Sequence, residues 1–119
     1  MRKSVYDKFN GRCAYCGKEI TIKEMQIDHI VPKRLFLTSK EADTYENLFP
    51  SCSRCNHYKR GGTPEYLREM LLNMREKILG TYLGKVAVDY NMIKWLGWDG
   101  KFYFERIESY EEDNHVRTD

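Results

Sequence analysis

Two Cys-x-x-Cys pairs constrain this chain more than any other feature of its sequence. Cys13 and Cys16 form the first pair, Cys52 and Cys55 form the second, and 35 residues separate them. Each pair can present two thiolates at the spacing that a tetrahedral zinc ion requires. A metal that closes so long a loop also stabilises a chain of 119 residues, whose own core is small. The sequence therefore predicts one structural Zn²⁺ site with four cysteine ligands.

Other uses of four cysteines fit less well. Disulfides need an oxidising compartment, and the N-terminal residues 1–7 lack the apolar run of a signal peptide, which favours a cytoplasmic location and reduced thiols. A thioredoxin-like redox site needs only one pair within a βαβ pattern, which neither pair shows. An iron–sulfur cluster is compatible with the spacing and stays open as an alternative.

The charge distribution favours an anionic partner. Residues 1–62 hold 12 Lys and Arg against 7 Asp and Glu, whereas residues 63–119 hold 8 against 11. A basic half of this kind attracts polyanions, although scattered charge also serves merely to solvate a surface. No stretch approaches the length of about 18 apolar residues that a membrane span needs, so no membrane association is expected.

The residue pattern predicts an α+β fold with one domain over residues 1–107. In its motif core, residues 10–62, residues 25–31 read as a strand that Pro32 ends, and residues 33–46 read as an irregular loop. The second cysteine pair opens a short helix that ends at Gly61 and Gly62.

Residues 63–107 are predicted to be a C-terminal extension of helices plus a short strand. Thr63 and Pro64 mark a helix start, and the helix should run to Leu79 with one apolar face toward the core. A second helix is predicted over 89–96 and a strand over 102–107. Trp95, Trp98, Phe102 and Phe104 are expected to form a second small core. Residues 108–119 contain five acids and one arginine, which predicts a disordered acidic tail.

Polar residues between and just after the cysteine pairs suggest chemistry. Asp28 and His29 end the predicted strand, and Asn47 follows in the loop. Asn56 comes directly after the fourth cysteine, and on a helix it shares a face with Lys59 and Arg60. An oxygen donor beside two cations suits a phosphate and a metal ion.

In order and spacing, these elements resemble the HNH endonuclease family, and in particular its cysteine-bearing branch of phage-associated and restriction-type enzymes. The matching motifs are Cys13-x-x-Cys16, Asp28-His29-Ile30-Val31-Pro32, Glu46-Asn47-Leu48 and Cys52-x-x-Cys55-Asn56-x-x-Lys59. The resemblance covers residues 10–62 and implies a ββα-metal (His-Me finger) fold. It also implies a metal-dependent endonuclease that hydrolyses DNA phosphodiester bonds and leaves 5′-phosphate and 3′-hydroxyl ends. One ββα unit would carry one active site, and the sequence shows no obvious dimer element, so we expect a monomer or weak homodimer that nicks one strand per event.

The resemblance also implies residue roles. His29 would be the general base, because imidazole exchanges protons near neutral pH. Asp28 and Asn56 would hold one catalytic Mg²⁺ or Mn²⁺ through oxygen, which such hard cations prefer. Asn47 would fix the loop and orient the His29 ring. The DNA-binding residues would be Arg54, Lys59 and Arg60, which contact phosphates.

Some assignments leave alternatives open at this stage. The family often has histidine where this chain has Asn56, so the adjacent His57 could be a metal ligand instead. Asn47 could have a purely structural role, since asparagine commonly occupies turns. Neighbouring strand residues also point to opposite faces, so Asp28 and His29 share a site only if the strand twists or ends there. The alternative function is a non-catalytic, zinc-stabilised module that binds nucleic acid or protein.

Overall fold

The fold is built around a two-stranded antiparallel sheet and the helix that follows it. The structure is a computed structural model that describes residues 1–107, and the tail expected over 108–119 lies outside the described residues. In chain order the elements are α1 (Arg2–Asp7), β1 (Gln26–His29), α2 (Ser39–Ala42), β2 (Leu48–Ser51), α3 (Ser53–Lys59), α4 (Pro64–Leu72), α5 (Met74–Leu79) and α6 (Tyr82–Asp89). The predicted α+β class and its ββα order are confirmed.

The sheet register fixes what lies beside the candidate site. β1 pairs with β2 so that Asp28 faces Phe49 and His29 faces Leu48 across the sheet. β2 also forms a hydrogen bond outside the sheet: the backbone N–H of Ala14, between the cysteines of the first pair, donates to the Pro50 carbonyl at 2.9 Å. The sheet therefore holds the first cysteine pair through the main chain.

The segment predicted as an irregular loop contains short helical pieces. Two 3₁₀ turns, Lys33–Leu35 and Tyr45–Asn47, flank α2. Thr38 caps α2, since its side chain accepts a hydrogen bond from the Glu41 N–H. These caps and turns satisfy backbone groups that an open loop would leave to water.

The helix predicted from Thr63 to Leu79 starts as expected but is interrupted. The Thr63 side chain accepts a bond from the Tyr66 N–H, and Pro64 occupies the first turn. At Asn73 the backbone turns to φ −91° and ψ 0°, so α4 ends and α5 begins. Asparagine is a poor helix former because its side chain competes with the backbone for hydrogen bonds.

Two C-terminal predictions are wrong. The helix expected over 89–96 is instead α6, which begins after its N-cap Thr81 and ends at Asp89. Residues 103–107, expected to be a strand, are helical. There the first-turn N–H groups of Tyr103 and Phe104 donate to the carbonyls of Tyr15 and Ala14 at 3.0 and 2.9 Å. Carbonyl groups within the first cysteine pair thus accept hydrogen bonds from the N–H groups at the start of this helix, and the local sequence gives no signal for that start.

Within residues 1–107, most of the buried apolar side chains form one continuous core. Val5, Tyr15, Phe49, Leu67 and Phe102 are all buried in it. The second core predicted for the C-terminal aromatic residues is therefore wrong, because Phe102 is in the main cluster and Trp98 and Phe104 pack against it.

The helices are also too short or too polar for a bilayer. Over residues 1–107, none offers the long apolar stretch that a membrane crossing requires.

Candidate active site

The four cysteine side chains meet at one point, as the sequence predicted. Their sulfur atoms all lie within 4.8 Å of one another, and Cys16 and Cys52 are 3.9 Å apart. Tetrahedral zinc with bonds of about 2.3 Å sets sulfurs about 3.8 Å apart, so the four thiols could hold one zinc ion. All four cysteines are free rather than joined in disulfides.

The crowding of the thiols makes a cation favourable at their centre. Hydrogen bonding to Cys13 raises the pKa of Cys16 to about 11 and raises that of Cys55 as well. Four neighbouring thiols therefore cannot all ionise by themselves, whereas a bound metal ion would neutralise the thiolates.

Local structure holds each cysteine pair. Gly17 follows the first pair with φ +80°, and a Cβ there would lie 2.8 Å from the Tyr103 ring, so only glycine suits this turn. In the second pair, Cys52 caps α3 by accepting a bond from the Cys55 N–H at 3.3 Å. The pair thus both begins the helix and offers two sulfur ligands.

Asp28 lies in the interior, where two side chains bind its carboxylate. The Tyr15 hydroxyl donates to one oxygen at 2.5 Å, and the Lys59 ammonium lies 3.1 and 3.2 Å from the two oxygens. Lys59 also donates to the His29 carbonyl at 3.0 Å. Burial raises the pKa of Asp28, while Tyr15 and Lys59 act in the opposite direction. The carboxylate is therefore already paired with an internal cation.

This pair corrects the predicted role of Lys59. Its side chain is only 1% exposed, so it does not lie on the surface where a phosphate would reach it. Arg54 and Arg60 are exposed. Arg60 follows α3 with a left-handed backbone, φ +55°.

His29, next to Asp28 in β1, has a different partner. Its Nε2 lies 2.7 Å from Oδ1 of Asp43, and the Lys33 ammonium is 3.8 Å from the same oxygen. The bond with His29 lowers the pKa of Asp43, and the charge of Lys33 acts in the same direction. In a neutral ring whose Nε2–H donates to Asp43, Nδ1 carries the free lone pair.

Asp43 is a residue that the sequence did not single out. It belongs to no motif and follows α2, 14 residues after His29. A carboxylate in a polar segment is an ordinary surface residue by sequence, and only the folded chain shows its histidine partner.

Asn47 fixes the same segment through the main chain. Its side-chain oxygen accepts from the Val31 N–H at 2.8 Å, and its amide donates to the carbonyls of Val31 and Ala42 at 3.1 and 2.9 Å. The hydrogen-bonding partner of the His29 ring is thus Asp43 rather than Asn47. Because Ala42 precedes Asp43, Asn47 holds Asp43 in place indirectly.

Asn56 faces a shallow cleft on the surface. Its amide donates to Oε1 of Gln26 at 2.6 Å. The two residues line a cleft of about 510 Å³ together with Ser53, Arg54 and His57. His57, the alternative ligand, is exposed at this cleft.

Asp28 and Asn56 do not form a ready ligand pair for Mg²⁺ or Mn²⁺. Their oxygen chemistry suits a hard cation. However, Asp28 is 6% exposed and already neutralised by Lys59, while the hydrogen bond of Asn56 goes to Gln26. In this arrangement the two side chains do not fit a shared catalytic ion.

Comparison with known proteins shows a match to one family. Residues 13–61 match the family model described as HNH endonuclease. This segment is similar to the HNH family. It contains both cysteine pairs, the sheet and α3, while residues 63–107 lie beyond the match.

Two curated relatives are similar to part of this chain. Over 55 residues the chain is 46% identical to the CRISPR-associated endonuclease Cas9 of Corynebacterium diphtheriae. These 55 residues make up 46% of this chain and 5% of that protein. Over 75 residues it is 29% identical to the Septu protein PtuB of Bacillus thuringiensis. The aligned stretch covers 61% of this chain and 28% of that protein. The chain thus spans a small part of the length of both relatives.

Proposed function

We propose that this chain is a DNA endonuclease in which His29 is the general base. The observation that carries the proposal is the bond between Nε2 of His29 and Asp43, within the segment that matches the HNH endonuclease model. A histidine held by a carboxylate at one ring nitrogen is oriented to accept a proton at the other.

In this proposal Asp43 is a positioning residue. It selects the tautomer with hydrogen on Nε2, so that Nδ1 takes the proton of a water molecule attacking the phosphorus. The carboxylate then stabilises the imidazolium that forms. Arg54 and Arg60, both exposed, would contact phosphates beside the scissile bond.

The proposed dependence on Mg²⁺ or Mn²⁺ comes from the family resemblance. The side-chain arrangement gives no ready site between Asp28 and Asn56, and an ion there would require Asp28 and Lys59 to separate. Plasmid cleavage with and without added ion tests the dependence.

Cleavage of supercoiled plasmid tests the function. We expect cleavage with added Mg²⁺ or Mn²⁺ and none with EDTA, with zinc content measured after EDTA treatment to exclude loss of the structural ion. His29→Ala should lower the rate about 10²- to 10⁴-fold, the usual contribution of a general base. Asp43→Asn should lower kcat by at least about tenfold with little change in KM, because it removes the tautomer preference.

The matched control is Lys85→Gln, which removes an exposed charge on α6 and should leave the rate unchanged. Wild-type cleavage by His29→Ala would show that another group is the base. An Asp43→Asn enzyme as fast as wild type would remove Asp43 from the proposal. One catalytic unit cuts one strand, so open circles should accumulate before linear plasmid, whereas a stable dimer would give linear plasmid directly.

A second candidate function is a zinc-stabilised module that binds nucleic acid or protein without cleaving. The buried ion pair of Asp28 and Lys59 favours it, because Asp28 is not available as a ligand for a catalytic ion. In that case the chain would bind DNA but leave plasmid intact with Mg²⁺, Mn²⁺ or any other divalent metal. Cleavage that depends on His29 would exclude this candidate.

A further inference from the structure

A groove lined by aromatic residues lies beside the candidate active site. It has a volume of about 730 Å³ and runs between α3, the first cysteine pair and the segment 95–106. Its aromatic lining residues are Tyr15, Tyr58, Trp95, Trp98, Phe102 and Tyr103. The chain has two tryptophans, and both line this groove. Trp98 and Phe102 also pack in the core, whereas Trp95 is half-buried and outside the core cluster.

The charged residues of the groove are basic. Arg54, Lys101 and Arg106 line it together with His57, and none of its lining residues among those described is an Asp or Glu. Arg106 pairs with Asp99 at 3.0 Å, so Arg54 and Lys101 are the cations more available to a bound anion. Aromatic surface with a basic edge is complementary to a ligand that is both flat and anionic, as a nucleotide is.

The groove adjoins the shallow cleft at the start of α3. Arg54 and His57 line both this groove and the cleft that contains Asn56 and Gln26. A polynucleotide whose phosphates cross Arg54 could therefore occupy both surfaces at once. A fully paired duplex keeps its bases stacked inside, so only an unpaired base could enter a groove of this kind.

We propose that the groove binds an unpaired nucleobase of a DNA strand, by stacking on Trp95 and by contacts of its phosphates with Arg54 and Lys101. The proposal rests on the proposed function for its choice of DNA, and it narrows the substrate to DNA with single-stranded character.

Tryptophan fluorescence tests the proposal without cleavage. The full chain with His29→Ala is titrated, without added divalent metal, with a dT12 oligonucleotide and with a fully paired 12-base-pair duplex. We expect saturable quenching by dT12 and weaker binding of the duplex. Trp95→Leu should weaken dT12 binding at least about fivefold, since stacking of one base contributes that much or more.

A charge test covers the case in which Trp95→Leu does not fold. Arg54→Gln and Lys101→Gln should each weaken dT12 binding and flatten its salt dependence, while the matched control Lys85→Gln should do neither. Lack of saturable quenching, equal binding of duplex and dT12, or wild-type affinity in the folded variants would overturn the proposal. An apolar protein segment as occupant would give the first of these results. Because binding is read without turnover, a chain that binds dT12 but does not cleave would refute the proposed function and retain the groove.

Discussion

At the scale of residues, the buried pair of Lys59 and Asp28 is the feature on which the site depends most. Both side chains are nearly inaccessible, and Lys59 joins α3 to β1 through Asp28 and the His29 carbonyl. The net contribution of such a pair to the free energy of folding is small, because the desolvation of the two charges nearly offsets their attraction. Removing one partner alone is costly, since the other charge is left buried without compensation.

Lys59→Met should therefore destabilise the protein by about 3–5 kcal/mol, the usual cost of an unpaired buried charge. The double variant Lys59→Met with Asp28→Asn should recover part of that loss, because it removes both charges. Urea unfolding of the zinc-loaded protein measures both values. A single variant as stable as wild type would show that Asp28 readily finds another partner or a proton.

At the scale of elements, Arg68 connects α4 to the C-terminal helical turn. Its guanidinium binds both carboxylate oxygens of Glu105 at 2.8 Å, donates to the Gly100 carbonyl, and lies 4.8 Å from the Phe102 ring centroid. Bidentate geometry of this kind is the strong form of an arginine–carboxylate contact. It holds the segment that forms one wall of the aromatic groove.

The bond with Arg68 lowers the pKa of Glu105 below its ordinary value. A depressed pKa in the folded state means that the stabilisation is complete above the unfolded-state pKa, about 4.3 for glutamate, and is lost as the pH falls through the lower folded-state pKa. We therefore expect Glu105→Gln to melt below wild type at pH 7 and the two melting curves to converge in acid.

The control for this prediction is Glu65→Gln. Glu65 also contacts Arg68, but its side chain is 76% exposed, so its removal should change the melting temperature little. A difference between wild type and Glu105→Gln that stays constant from pH 7 to pH 3 would contradict the ion-pair explanation.

At the scale of the whole molecule, the cysteine cluster joins segments distant in sequence into one body. It connects the first cysteine pair to the start of α3, and the C-terminal turn docks on the same pair through the Ala14 and Tyr15 carbonyls. The sheet has two strands, and a two-stranded sheet has little stability of its own. Metal binding is therefore expected to be coupled to folding.

Removal of zinc should consequently unfold the HNH segment. We expect one zinc per chain by native mass spectrometry, and loss of the cooperative thermal transition after treatment with a strong chelator under reducing conditions. Cys52→Ser should give the same result, because it removes a zinc ligand while the serine hydroxyl can still cap α3. A metal-free protein with an unchanged transition would refute the structural role of zinc, and iron in its place would identify a cluster instead.

Local signals in the sequence were sufficient for the framework of the molecule. The cysteine spacing predicted the cluster, and Thr63 with Pro64 began a helix as expected. The strand predicted over 25–31 forms as Gln26–His29, ending before Pro32. The strand and helix signals depend on residues a few positions apart, and so does the spacing within each cysteine pair, although the two pairs are 35 residues apart. The spacing of the HNH motif residues likewise indicated the resemblance to the family.

The environment of each site residue was decided by tertiary structure. Asp28 pairs with Lys59 across 31 residues, and His29 meets Asp43 across 14, in contacts that no local pattern encodes. The helical turn at 103–107 likewise depends on carbonyls near residue 15. Sequence specifies which groups are available and where the backbone turns, whereas burial and pairing of charge depend on segments that become neighbours only when the chain folds.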